Sequence, residues 1–363
     1  MNHRERCLKF SQELRSTHVE MAVLLKPHNV FYFAGYAPVC AGVLLFPDEE
    51  PIFCTLWLDA PEARERCSME RLTAYVYPRE TLGGKLIELM KKRKVSPGRI
   101  GVEKDFMLLR DYEALAREFQ GAEFVHVTPA IDRLRAIKSE AEIEMIRKSA
   151  TISDKAMEAA LKAVRPGASE LDIAAEAEYV MKKMGSEKPA FSTFVAGGER
   201  TLLAHPVASR RRIEPEDSVV IDLGATWEGY SSDICRTTFA GEPRPDQIAF
   251  LRTVVDAQNA AMEVLRDGET SGMVFDRVQE VFLRANLARF LPDDIGYGVG
   301  LRQSEFYPVI EKGSETVLKK NMVVALLQTT SYKRRLGGLR VEDTFRVTGT
   351  GCEKLTLLPQ PHL

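Results

Sequence analysis

The sequence predicts an α/β N-terminal domain, residues 1–130, followed by an α+β C-terminal domain, residues 131–363, whose sheet is antiparallel. Three observations carry this. The chain has 363 residues, more than a single hydrophobic core ordinarily organises. The N-terminal part alternates short apolar runs with amphipathic stretches, the pattern of strands and helices laid around a central sheet. The remainder opens with long helical segments and then turns to apolar runs separated by turn residues.

In the N-terminal part, residues 20–25, 42–46, 51–56, 99–103 and 123–127 read as buried strands, with 83–92 and 108–119 as helices between them. A helical segment is expected from about Ile131 to Val164, where Ile143, Ile146, Ala150, Ile152, Ala156, Ala160 and Leu161 recur at helical spacing. Pro166-Gly167 ends it. Ser169 is a cap for the next helix, Glu170 to Met184, with Asp172 at its third position. The boundary between domains falls near residues 128–138. Ser218 to Leu223 (SVVIDL) is an apolar run closing on a carboxylate, and 229–239 (GYSSDICRTTF) is its return strand in a hairpin-like pair. Helices over 246–266 and 273–288, and strands around 323–328 and 339–347, complete the domain.

Composition removes several classes of function. Apolar residues make up 45% and charged residues 28%, an ordinary globular balance. A net charge of −2 supplies no attraction for nucleic acid or an anionic membrane. Arg210-Arg-Arg212 is followed by Glu214, Glu216 and Asp217 and reads as a solvated turn. No apolar run is long enough to span a bilayer, and MNHRERCLKF lacks the apolar stretch of a signal peptide. There is no GxGxxG and no Walker loop. Cys7, Cys40, Cys54, Cys67, Cys235 and Cys352 are scattered without a CxxC pair, as in a protein of the reducing cytoplasm.

A few residues stand out as candidates for chemistry. Asp222 and Asp233 sit in β-rich segments, where carboxylates are depleted, and Asp222 follows Val219, Val220 and Ile221. Buried carboxylates need a cation, a metal or a proton; the plainer alternative is two strand-end aspartates capping turns. Glu342-Asp343 is a second acidic pair at a strand, with a solvated turn and a surface Arg340–carboxylate pair as its alternative. His205 follows a Gly-Gly loop and precedes a proline, a position that can present a side chain to a cleft. Tyr297 is bracketed by Gly296 and Gly298, which let the backbone pass close to a neighbour.

The order of these segments resembles the pita-bread family of Xaa-Pro dipeptidase, aminopeptidase P, methionine aminopeptidase and creatinase (peptidase family M24), over nearly the whole chain. Asn29-Val-Phe-Tyr-Phe-Ala-Gly-Tyr36 is similar to the family's N-domain "N-I-x-Y-L-T-G" signature. Residues 135–148 (RAIKSEAEIEMIRK) resemble its linker helix. Residues 220–225 and 232–239 resemble the segments carrying two metal-ligand aspartates, and 337–343 the segment carrying the last metal-ligand glutamate. In that family two Asp, one His and two Glu hold two divalent ions. The resemblance puts the aspartates on Asp222 and Asp233 and the last glutamate on Glu342. It puts the ligand histidine on Tyr297 and the other glutamate on Leu327, or on Gln328 after a one-residue slip. The histidine of the "H-E" segment falls on Ser304, with Glu305 kept, and the loop histidine is kept as His205.

A neutral phenol, with a pKa of about 10, is a poor ligand beside imidazole, and leucine is none. The implied activity is therefore hydrolysis of a C–N bond in a small substrate, a dipeptide or a guanidinium or amide compound, with no metal or one divalent ion (Mn, Mg, Co or Zn) rather than two. Creatinase is the family's precedent for a site without metal. His205 and Glu342 are the expected catalytic residues; Arg340, Tyr297 and Glu305 are expected to bind substrate; Asp222, Asp233 and Glu342 are the expected residual metal ligands. A two-metal Xaa-Pro dipeptidase and a non-catalytic binding module are the alternatives. A cytoplasmic homodimer, without nucleic acid or membrane as partner, is the expected form.

Overall fold

The computed structural model describes residues 3–93, 97–333 and 337–361, and of residues 327–333 only the course of the backbone. The chain divides into two compact units, Met1–Arg135 and Ala136–Leu363.

In the first unit α1 (His3–Ser16), β1 (Met21–Leu24), α2 (Pro27–Ala34), β2 (Ala41–Leu45), β3 (Ile52–Leu56) and α3 (Ala60–Arg66) are followed by β4 (Arg71–Tyr75), α4 (Leu82–Lys91), β5 (Arg99–Val102), α5 (Leu109–Glu118), β6 (Glu123–His126) and α6 (Thr128–Ala136). The six strands make one mixed sheet in the order β4-β3-β2-β1-β5-β6. β1, β2 and β3 are joined antiparallel, and β4, β5 and β6 are added in parallel. Met21, Val23, Leu44, Phe46, Ile100 and Val102 form its core with Leu86 and Met90 of α4. Every expected strand is present. α1, α2, α3 and β4 were not expected: α2 is short, and β4 is an edge strand of mixed exposure with no run to announce it.

The expected single helix from Ile131 to Val164 is two helices. α6 stops at Ala136, and α7 (Glu140–Ala163) starts afresh at Ser139. Ser139 is an N-cap whose side chain accepts from the Glu142 amide while Glu142 reaches back to the Ser139 amide. This reciprocal pair satisfies donors that a continuous helix would have bonded internally. Ser169 and Asp172 cap α8 (Glu170–Lys183) in the same way, as the sequence predicts.

β7 (Phe194–Gly197), β8 (Ser218–Leu223), β9 (Thr226–Trp227), β10 (Tyr230–Ser231) and β11 (Ile234–Phe239) follow, then α9 (Pro245–Val264) and α10 (Ser271–Arg284). β12 (Asp294–Gly298), β13 (Glu305–Glu311), β14 (Val323–Lys333), β15 (Gly337–Val347) and β16 (Cys352–Lys354) end the chain. The main sheet has the order β13-β12-β14-β15-β11-β8-β7, with β16 on β15, and β9 and β10 pair separately. All its pairings are antiparallel. Successive side chains on a strand point to opposite faces. Val219, Ile221 and Leu223 pack with Ile173, Ala177 and Met157 of α7 and α8. Val341, Phe345 and Leu326 pack with Phe250, Val254, Phe275 and Phe282 of α9 and α10. The four helices therefore cover one face of the sheet, and Asp222 and Glu342 project from the other.

Candidate active site

The site grows out of strand register. β8 is paired to β11 with Asp222 opposite Cys235, and β11 to β15 with Cys235 opposite Glu342. Directly opposed residues project from the same face, so two carboxylates separated by 120 positions in sequence come to stand on one row. Asp233 lies two residues before Cys235 and keeps that face. Its backbone is held by Thr344, whose hydroxyl accepts from the Asp233 amide at 2.9 Å and donates to the Asp233 carbonyl at 2.8 Å. Ligand oxygens of Asp222, Asp233 and Glu342 lie within 4.8 Å of one another, and all three residues are buried.

The neighbouring carboxylates Glu342 and Asp343 part at the pleat of β15. Glu342 joins the trio. Asp343 goes to the helix-covered face, where Arg236 donates to it at 2.7 Å, Thr356 donates at 2.7 Å and Lys354 sits at 2.7 Å. The expected alternative of a solvated turn with a surface ion pair does not hold: Glu342 and Asp343 are both 0% exposed. Arg236 also donates to the carbonyls of Cys235 and Glu342, each at 2.8 Å, and so ties β11 to β15 from behind the trio.

Tyr297 reaches the trio from β12. Its hydroxyl donates to Asp233 Oδ2 at 2.7 Å and lies 3.1 Å from Glu342 Oε1. The flanking glycines have a steric reason. A Cβ on Gly296 would meet the Ala325 carbonyl at 2.5 Å, and one on Gly298 would meet the Tyr307 carbonyl at 2.6 Å. Only bare backbone lets β14 and β13 approach this closely on either side of Tyr297. Gln303 joins from the connection to β13: its amide nitrogen donates to Asp233 Oδ2 and, at 2.6 Å, to the Tyr297 hydroxyl. No sequence signal singled out Gln303; it neighbours Ser304, where the family pattern directs attention.

Burial shapes the electrostatics. It pushes the Asp222 carboxyl up to about 6, against the opposing pull of Arg340. Asp233 and Glu342 are raised well above the usual carboxylate range, first by burial, then Asp233 by the charge of Asp222 and Glu342 by the charges of Asp233 and Asp222. Burial, then the facing carboxylates, raises the Tyr297 phenol as well. One oxygen of each acid (Asp222 Oδ1, Asp233 Oδ1 and Glu342 Oε2) is buried without a hydrogen-bond partner among the described residues. Three buried carboxylates with ligand oxygens within 4.8 Å of one another require protons or a cation, and hard oxygen donors suit a divalent ion. The residues present therefore fit a bound cation.

The other expected site residues are placed differently. Arg340 is buried, 4.0 Å from Asp222, and its guanidinium donates to the carbonyls of Leu203 and Ala204. It clamps the loop that carries His205 rather than presenting a free hand to substrate. His205 is exposed, with its ring against Phe194 at a centroid distance of 5.8 Å. Phe194 stands opposite Asp222 in the sheet, which sets His205 at the rim of the same row. Glu170 anchors this loop at both ends, accepting from Gly197, Arg200 and Ser209 at 3.0 Å each. Glu305 is buried, with its carboxylate paired to buried Lys138 at 3.3 Å. The side chains of Leu327 and Gln328 lie outside the described residues; the strand register sets Leu327 opposite Glu342.

Known proteins match this architecture along its length. The model of metallopeptidase family M24 matches residues 144–349, and that of the creatinase/prolidase N-terminal domain matches residues 6–137. Xaa-Pro dipeptidase from Pyrococcus furiosus is 33% identical over 97% of both chains, and that from Pyrococcus horikoshii likewise 33% over 97% of both. The solved prolidase of Pyrococcus horikoshii superposes with a TM-score of 0.91 at 30% identity, covering 99% of this chain and 100% of its own. With the sheet, the row of acids on its open face and both halves matched in sequence order, the chain belongs to metallopeptidase family M24.

Proposed function

We propose that the protein is a hydrolase that cleaves the C–N bond of a small substrate, an Xaa-Pro dipeptide or a related amide or guanidinium compound, at a site holding no more than one divalent ion. The observation that carries this is the acidic trio, three buried carboxylates each with one unpartnered oxygen, beside a loop that exposes a histidine. The Xaa-Pro dipeptidase relatives support the substrate class. Asp222, Asp233 and Glu342 would hold the ion (Mn, Mg, Co or Zn), which supplies Lewis-acid polarisation of the scissile carbonyl when bound. His205 exchanges the proton at the rim, where imidazole can act as either acid or base near neutral pH. Arg340 sets the position of His205 through the carbonyls of Leu203 and Ala204, and its charge restrains Asp222. A homodimer in the cytoplasm completes the reading; six unbridged cysteines accord with a reducing compartment.

The test is turnover by the purified protein on a panel of Xaa-Pro dipeptides, amides and guanidinium compounds, with Mn(II) and with chelator. Hydrolysis of at least one member is expected. A silent panel under both conditions sinks the hydrolase reading in favour of a binding module that uses the same cleft.

A further inference from the structure

Gln303 lies outside every motif that points to the site, yet its amide is directed into the acidic trio. The hydrogens can be counted. A primary amide carries two, and Gln303 directs its nitrogen at Asp233 Oδ2 and at the Tyr297 oxygen. A phenol carries one, and Tyr297 directs it at Asp233 Oδ2, with Glu342 Oε1 next nearest. The carboxylate oxygens therefore fall into two sets. Asp233 Oδ2 and Glu342 Oε1 face neutral hydrogen-bond donors. Asp222 Oδ1, Asp233 Oδ1 and Glu342 Oε2 are buried and face none among the described residues. The Tyr297 and Gln303 hydrogens take up acceptor capacity of Asp233 Oδ2 that a second cation would need. Charge leads to the same count. Three carboxylates set against the Arg340 guanidinium, 4.0 Å from Asp222, leave two negative charges, the charge of one divalent ion. A second ion would leave buried positive charge uncompensated.

We propose that Tyr297 and Gln303 together fill the place of a second cation, so that the trio takes a single divalent ion on its unpartnered oxygens, with Gln303 as the positioning residue that pins Asp233 and Tyr297. This rests on the reading of the trio as a cation site given above. It adds the residues that limit the site to one ion.

The experiment strips the full-length protein with chelator, reloads it with excess Mn(II), removes the excess by gel filtration and reads metal per chain together with the electron paramagnetic resonance spectrum. One Mn(II) per chain, with the hyperfine pattern of an isolated ion, is expected. Two per chain with a spin-coupled spectrum overturns the proposal, and so does none. Gln303→Ala is expected to weaken Mn(II) binding by about 10-fold or more while the count stays at one. Unchanged affinity removes Gln303 from the role. Tyr297→His with Leu327→Glu, opposite Glu342 in register, is expected to admit a second, spin-coupled ion. A count still at one means that Tyr297 is not what excludes it. Should that double variant fail to fold, the wild-type count and Gln303→Ala decide the matter. One Mn(II) with no hydrolysis anywhere on the panel keeps this inference and removes the hydrolase reading. Two Mn(II) with hydrolysis does the reverse.

Discussion

His205 and Arg340 divide one task. The arginine is buried and bonded to backbone carbonyls; the histidine is exposed on the loop so held. Truncation of His205 removes an exposed imidazole whose ring lies against Phe194. His205→Ala is therefore expected to lower kcat/KM by about 100-fold or more while the urea midpoint stays within error of wild type. Unchanged turnover would remove His205 from the proton path. The sequence already isolated His205, Asp222, Asp233 and Glu342, because each is a residue type out of place in its surroundings. It could not isolate Gln303, an unremarkable residue in a connecting segment whose contacts exist only once β12 and β13 are folded. For Arg340 and Glu305 the type of chemistry was legible but its direction was not. A guanidinium can grip a substrate or a loop, and a carboxylate can meet a ligand or Lys138; only the fold chooses.

At the scale of the element, apolar runs and caps were legible and irregular strands were not. β8 announces itself as an apolar run, and Ser169 announces α8. β12 is short and contains two glycines, and β13 contains Pro308, which weaken any strand signal. The break between α6 and α7 hides because Ile137 continues the apolar pattern while Ser139 restarts the helix. Ser139→Ala is expected to cost about 1 kcal/mol in equilibrium unfolding, since the capping box is lost; a neutral result would mean that packing alone holds the start of α7. Arg236 is the larger stake. Arg236→Leu leaves Asp343 a buried charge held by Lys354 and Thr356 without its guanidinium partner, and frees the carbonyls of Cys235 and Glu342. A loss of about 3–5 kcal/mol is expected. A loss below about 1 kcal/mol would show that the network behind the trio is dispensable.

For the whole molecule, the trio links stability to pH and to metal. The three carboxyls are raised in the folded state, so the unfolded chain releases their protons first. Their contribution is full below the unfolded values of about 4 and is lost as pH climbs through the folded ones, about 6 for Asp222, with Asp233 and Glu342 also raised well above the usual carboxylate range. The chelated protein is therefore expected to lose thermal stability as pH rises from about 4 through about 6, and the stabilisation by saturating Mn(II) is expected to grow over the same interval. A Mn(II)-dependent shift in Tm that is constant with pH would contradict the burial of ionisable protons at the trio. The same coupling explains why the fold class was legible from the sequence: periodicity reports which face of each strand is buried, and the acids stand on the face that the helices leave uncovered.

The split of Glu342 from Asp343 at one pleat has a consequence for assembly. Were β15 to pair one residue out of step, every side chain along it would change face. Asp343 would leave Arg236 and Lys354, and Glu342 would be driven in among the helices. An error in alignment thus costs several buried charges at once, where an all-apolar strand would lose only contacts. The adjacent pair of acids works as a proofreading mark: a chain that has zipped β15 correctly has, by the same act, assembled the acidic trio.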